Sequence, residues 1–174
     1  MANECDLKYL TKNWLRWWSI RPLFKSSLLL RRLIGDEDAR INAVNLLELN
    51  SGQRVLELGC GLGANLCNLH ATGAQIIAVD ESPENVAASR NEVRANNLMN
   101  IKVMSLDEAE KSLEAESFDA ILCCNTFTST DRQDLLLHLA CKWLKKGGKI
   151  AVVDYVPIGE THPEVIPIAA PIYW

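Results

Sequence analysis

The sequence has no apolar run approaching the roughly eighteen residues a membrane-crossing helix needs. Its first residues mix Glu4 and Asp6 with later tryptophans, where an export signal would place a basic segment before a uniform apolar stretch. These absences point to a cytoplasmic protein. The six cysteines, Cys5, Cys60, Cys67, Cys123, Cys124 and Cys141, include no C-x-x-C and no zinc-finger spacing. Four of them lie inside apolar segments, so reduced and mostly packed thiols are expected. The three histidines, His70, His138 and His162, are far apart and have no visible partner, and no metal site is expected. A broad positive face is also missing. The net charge is −4, divided into +5 over residues 1–34 and −9 over the remainder, a poor match to duplex phosphates, so a nucleic-acid partner is not expected. No internal repeat or low-complexity segment occurs.

What is present is an ordinary globular composition: 174 residues, 48% hydrophobic and 23% charged, enough for one domain with a core. In "DLKYLTKNWLRWWSI", Leu7, Leu10, Trp14, Trp17 and Trp18 fall on one helical side, and Lys8, Lys12 and Arg16 on the other. Pro22 interrupts this helix, "LFKSSLLLRRLIG" reads as a second ending at Gly35, and Asp36 or Asp38 would cap a third, "EDARINAVNLLEL", stopped by Asn50-Ser51-Gly52. Residues 1–35 are thus expected to form an amphipathic helical arm and residues 36–174 the main domain. An arm with aromatics on one face and basic residues on the other either covers a cleft of the domain or lies in a membrane interface.

From residue 54 onward the chain alternates. "RVLEL", "QIIAVD", "IKVMS", "FDAILCCN" and "KIAVVDY" read as short buried strands, with helical patterns at about 62–71, 83–97 and 131–145 between them. Strands joined by helical crossovers predict a parallel, doubly wound α/β sheet, with Gly147-Gly148 as the helix stop before the fifth strand.

In such a sheet the first strand-to-helix turn is a cofactor site, because glycines let a backbone approach closely and a helix N-terminus offers amides. Read as Gly59-x-Gly61-x-x-Ala64, the turn fits a dinucleotide loop, and Asp80, about twenty residues on, would bind a ribose in either of two readings. Glu57 separates them. Its carboxylate stands where a dinucleotide would put its pyrophosphate, and like charges in a partly buried site are costly. A cofactor carrying an ammonium group and no phosphate suits it better. Asp107, after the third strand, can accept a hydrogen bond from an adenine amino group, although a polar residue there also serves as a helix cap. S-adenosylmethionine carries ammonium, ribose and amino-purine in that order.

The chain resembles the class I S-adenosylmethionine-dependent methyltransferases. "VLELGCGLG" is similar to their first motif, "IIAVDES" to the second, "VMSLDEAEKSLEAESFDAIL" to the third strand and the run into the fourth, and "LKKGGKIAVVD" to the fifth. The match covers roughly residues 40–155 and lies nearest the small-molecule, quinone and phospholipid enzymes. The resemblance implies a Rossmann-like sheet of order 3-2-1-4-5 and methyl transfer to a small or lipid-like acceptor, with S-adenosylhomocysteine as product. It implies that Glu57, Gly59, Cys60 and Gly61 face the methionine part of the cofactor. Asp80 would take the ribose hydroxyls, with Glu81 and Ser82 lining that end. Asp107 and the backbone of Glu108 would hold the adenine, and Cys124 and Asn125 would lie under the sulfonium. No catalytic base is assigned.

Departures from the family shape these expectations. "CCNTFTST" replaces the Asn-Pro-Pro-aromatic of nucleic-acid amino methyltransferases, and Thr128 and Ser129 stand where related enzymes often carry histidines. Beyond Tyr155 the chain reads as too short and too proline-rich for the family's sixth and seventh strands. The fifth strand is therefore expected to be covered by "PEVIPIAAPIYW", to pair in a homodimer, or to cause poor solubility. Competing readings are a cofactor-binding module without activity and, less favoured, a nicotinamide-dependent oxidoreductase. The vicinal Cys123-Cys124 pair is expected to be packing on a central strand.

Overall fold

A computed structural model describes residues 36–156, 166–167 and 170–173. The two helices expected before residue 36 lie outside these residues, as do Pro157 and Pro163. The described elements are α1 (Asp36–Leu46), β1 (Arg54–Leu58), α2 (Leu66–Ala71), β2 (Gln75–Asp80), α3 (Pro83–Ala95), β3 (Ile101–Ser105), α4 (Leu106–Ser112), β4 (Phe118–Cys124), α5 (Gln133–Trp143), β5 (Leu144–Val153), β6 (Tyr155–Val156), β7 (Ile166–Pro167) and β8 (Ala170–Tyr173), with a 3-10 turn at Phe127–Ser129.

The sheet runs β3-β2-β1-β4-β5-β8. Its first five strands are parallel, in the expected 3-2-1-4-5 order. β8 pairs antiparallel with β5, Lys149 opposite Tyr173 and Val152 opposite Ala170. Of the three outcomes foreseen for the fifth-strand edge, the structure shows cover by the chain's own C-terminal segment.

Alternation along the strands sorts side chains onto two faces. Val55, Ile76, Ala78, Ala120, Leu122, Cys124, Ala151 and Val153 pack with Ala39, Ala43 and Val44 of α1, with Leu47 just after it, and with Leu66 and Leu69 of α2. Leu56, Leu58, Ile121, Cys123 and Ile150 pack on the opposite face with α4 and with Leu136, Leu139 and Trp143 of α5. Cys123 and Cys124 thus go to opposite cores, and burial holds the Cys123 thiol well above its ordinary pKa, which fits packing.

The ends of two helices differ from expectation, and one helix was not expected. α1 stops at Leu46, and Glu48 takes a left-handed φ of 51°. Asn50-Ser51-Gly52 instead forms a separate turn, in which Asn50 Oδ1 accepts from the Gly52 amide at 3.0 Å and the Asn50 carbonyl from the Gln53 amide at 3.1 Å. α5 stops at Trp143, ahead of Gly147-Gly148. Those glycines lie in an irregularity where β5 pairs Leu144 with Phe118, slips, and resumes with Lys149 opposite Ala120. α4 had no counterpart in the hydrophobic periodicity. It is nucleated by a capping box: Ser105 Oγ accepts from the Glu108 amide at 3.2 Å, and Glu108 Oε2 accepts from the Ser105 amide at 2.8 Å.

Candidate functional site

The glycine turn sits at the C-terminal end of β1, between the ends of β2 and β4. Both the Gly59 and Cys60 amides donate to the Val79 carbonyl, at 2.8 and 3.0 Å, tying the turn to β2. Gly59 has a φ of 79°, and a Cβ there would come within 2.6 Å of Thr126 Cγ2. Thr126 is fixed in turn by donating from Oγ1 to the Leu58 carbonyl at 2.7 Å. Gly61 differs. Its φ is 56°, its amide donates to Asp80 Oδ2 at 2.8 Å, and a Cβ there would meet nothing within 4 Å. The backbone at Gly61 therefore borders open space.

Glu57 shares the sheet face of Val55, two residues before it, and is 1% exposed. Oε1 accepts from Asn65 Nδ2 at 2.7 Å, while Oε2 is buried without a hydrogen-bond partner. Burial pushes its pKa from 4.5 up to about 7. The Asn65 hydrogen bond opposes the rise, the Asp80 charge adds to it, and the Arg40 charge opposes it. A buried carboxylate oxygen lacking a donor is costly, so this atom is suited to receive a cationic donor.

Asp80 is 7% exposed. Besides the Gly61 amide it accepts from the Ser82 amide and Asn85 Nδ2, both at 3.0 Å to Oδ1. It organises the glycine turn and the start of α3 together. Ser82 is the N-cap of α3, its Oγ accepting from the Asn85 amide at 3.3 Å and donating to Glu84 at 2.7 Å. Glu81 Oε2 lies 3.8 Å from Arg132 Nη1. Since Arg132 immediately precedes α5, this half-exposed pair crosses from the β2 side of the turn to the β4 side.

The Cys60 thiol is pushed up to about 12, chiefly by burial and then by the Glu57 charge. It contacts Ser89 Oγ at 3.6 Å and is no thiolate nucleophile. Cys124 ends β4 and Asn125 follows it, both buried. Asn125 has a left-handed φ of 53°, and its amide donates to the Val153 carbonyl at 2.7 Å. Asp107 is exposed in the first turn of α4, and the cap of that helix is Ser105. The Glu108 amide is engaged with Ser105 Oγ, and its exposed side chain also meets Arg90 at 3.2 Å.

Sequence reasoning did not single out Arg40, Asn65, Thr126 or Asp154. Asn65 follows the turn as an unremarkable polar residue, yet it is the partner of Glu57. Asp154, buried just after β5, accepts from the amides of Phe127 and Thr128 at 2.8 and 3.2 Å and from Thr128 Oγ1 at 2.5 Å, holding the loop after β4. Such pairings join residues remote in sequence. Among the described residues no group of three or more His, Cys, Asp or Glu could hold a metal, and no helix is long and apolar enough to cross a membrane.

Residues 56–152 match the family model described as a methyltransferase domain. Over 145 residues the chain is 29% identical to a demethylmenaquinone methyltransferase of Tropheryma whipplei (strain Twist), covering 83% of this chain and 56% of the relative. It is 27% identical to a ubiquinone biosynthesis O-methyltransferase of Nitrobacter winogradskyi over 157 residues, covering 86% and 59%. The chain thus spans little more than half the length of these relatives. A SAM-dependent methyltransferase from Aquifex aeolicus has a similar solved structure, with a TM-score of 0.63 at 20% identity over 86% of this chain and 78% of that one. With the five-strand order, the glycine turn and the match over more than half its length, this chain belongs to the methyltransferase-domain family, the class I S-adenosylmethionine-dependent methyltransferases.

Proposed function

We infer that the protein binds S-adenosylmethionine and transfers its methyl group to a small-molecule or lipid-like acceptor. The observation that carries this reading is the buried, partnerless Oε2 of Glu57, on the strand that leads into the turn whose Gly61 borders open space. A phosphate would be repelled there, whereas an ammonium would satisfy it.

Glu57 would receive the ammonium, and the turn Gly59-Cys60-Gly61 would border the methionine part. Asp80 would accept from ribose hydroxyls through lone pairs its backbone partners leave available, with Glu81 and Ser82 at that end. Asp107, exposed beyond β3, would serve the adenine amino group. The Glu108 amide is already used by the capping box, so adenine recognition would fall to Asp107. Cys124 and Asn125 would close the floor toward β4. When bound, the cofactor supplies an electrophilic methyl group. The chain's own task is then to hold the acceptor atom in line with it and to exclude water.

The quinone-pathway names of two relatives support an aromatic, lipid-soluble acceptor. Residues 1–35 would form the acceptor side of the cleft, and their tryptophan and basic faces suit contact with a membrane surface from which such an acceptor is drawn. Titration calorimetry with S-adenosylhomocysteine is the test. Binding is expected in the wild type and is lost in Asp80→Ala; no binding at about 50 μM ligand would sink the reading.

A further inference from the structure

The residues read as cofactor contacts occupy one half of the sheet's C-terminal edge. Asp107 lies just after β3, Asp80 ends β2 and Glu57 belongs to β1. In the order β3-β2-β1-β4-β5 a ligand reaching from adenine to ammonium therefore runs toward β4, and the ends of β4 and β5 are left for the methyl acceptor. The loop after β4 begins with Thr126 set against Gly59 of the glycine turn. Residues 123–127 are buried, and half-buried Thr128 is the first residue beyond β4 that solvent reaches.

That loop is fixed from two elements. Asp154, after β5, takes the Phe127 and Thr128 amides on Oδ2 and the Thr128 hydroxyl on Oδ1 at 2.5 Å. Gln133, at the start of α5, donates from Nε2 to the Phe127 and Thr130 carbonyls at 2.9 and 3.2 Å. A threonine hydroxyl has one proton to give and two lone pairs. Three donors converge on the Asp154 carboxyl, which suits its ionised form, and an ionised carboxyl only accepts. The Thr128 proton is thus committed to Asp154. Toward a ligand Oγ1 can accept a hydrogen bond and cannot donate one.

We propose that Thr128 Oγ1, oriented by Asp154, is a specificity contact for the methyl acceptor and selects one that carries a hydroxyl. The assignment rests on the methyltransferase reading above and adds to it the class of acceptor. A hydroxyl that donates to Thr128 is held by its proton and keeps its oxygen lone pairs for the in-line displacement, whereas an ether has nothing for Thr128 to accept. Thr128 is the contacting residue, and Asp154 is a positioning residue that acts through it.

Titration calorimetry on the protein saturated with S-adenosylhomocysteine tests this with para-butylphenol and its methyl ether, para-butylanisole, as probes of an aromatic, lipid-soluble acceptor. One neutral hydrogen bond predicts that the wild type binds the phenol about threefold to tenfold more tightly than the ether. Thr128→Val keeps the shape without the hydroxyl and should bring the two within about twofold, while Thr128→Ser should retain the preference. A preference caused by the bulk of the ether methyl would survive in Thr128→Val. Asp154→Asn separates orientation from support of the loop. Its Oδ1 must stay with the two amides, which leaves Nδ2 against Thr128, so the hydroxyl accepts from Asn and its proton is released toward the cleft. The preference should then vanish or reverse. Thermal melting of each variant with S-adenosylhomocysteine checks that the fold and the cofactor site persist, and if Asp154→Asn does not fold, the two Thr128 variants decide alone. Equal affinities in the wild type, a preference unchanged in Thr128→Val or in folded Asp154→Asn, or no binding of the phenol at about 1 mM would overturn the proposal while leaving the cofactor reading intact. Failure of the wild type to bind S-adenosylhomocysteine would overturn both.

Discussion

Replacing Glu57 with Gln should make the protein more stable and a poorer binder, in a pH-dependent way whose sign follows from burial. In the unfolded chain the Glu57 carboxyl titrates near its ordinary 4.5, and in the folded chain it holds its proton to about 7. Between those values the folded state binds more protons, so the contribution of Glu57 to stability falls as pH rises. The penalty is absent near pH 4 and complete above about pH 8, where it approaches about 3 kcal/mol. Gln keeps an oxygen for Asn65 Nδ2 and carries no charge. Wild type and Glu57→Gln should therefore melt together near pH 4 and separate by about 6–12 °C at pH 8, with the variant higher. Binding supplies an independent check. At pH 6 the free carboxyl is mostly protonated, so pairing it with an ammonium should release close to one proton. Calorimetry in buffers of different ionisation enthalpy measures that number. A stability gap between wild type and variant that stays constant from pH 4 to 8 would refute the reasoning.

Gly59→Ala should cost about 2–4 kcal/mol in urea unfolding, from a left-handed φ forced on alanine and a Cβ driven into Thr126. Combining it with Thr126→Ala should recover the steric part, and additive costs would argue against the contact. Gly61→Ala, which meets no atom, should cost only about 1–2 kcal/mol yet impair S-adenosylhomocysteine binding. Ser105→Ala removes the cap of α4 and should lower stability by about 1 kcal/mol with cofactor affinity changed less than about twofold, measured by melting and calorimetry.

The parallel sheet was legible because short continuous apolar runs, buried on both faces, alternate with helical crossovers along the chain from β1 to β5. The glycine turn, Glu57 and Asp80 were legible because a strand-turn-helix unit concentrates its chemistry within about twenty-five residues. What the sequence hid depended on distance. The Thr126 hydroxyl that fixes Gly59 stands 68 positions after the carbonyl it meets, and no local pattern announces such a pair. Arg40 was read as a helix residue, since its approach to Glu57 depends on which sheet face α1 covers. The capping box of α4 was visible in "SLDE", but a search for apolar periodicity passes over a helix of seven residues. Gly147-Gly148 misled for a related reason: a glycine pair after a helical pattern signals a stop, whereas here it relieves a slip between two strands.

β8 also decides whether the sheet can grow. Pro171 lies opposite Ala151 in the antiparallel pair, and a proline has no amide hydrogen to give. Its nitrogen must then face away from β5, in the position that would otherwise donate to an incoming strand. Among the described residues β8 is the outermost strand of the sheet, and the proline leaves a gap in the donors along its outer side. Any further strand that pairs there, from this chain or from another molecule, must do without one hydrogen bond at that position.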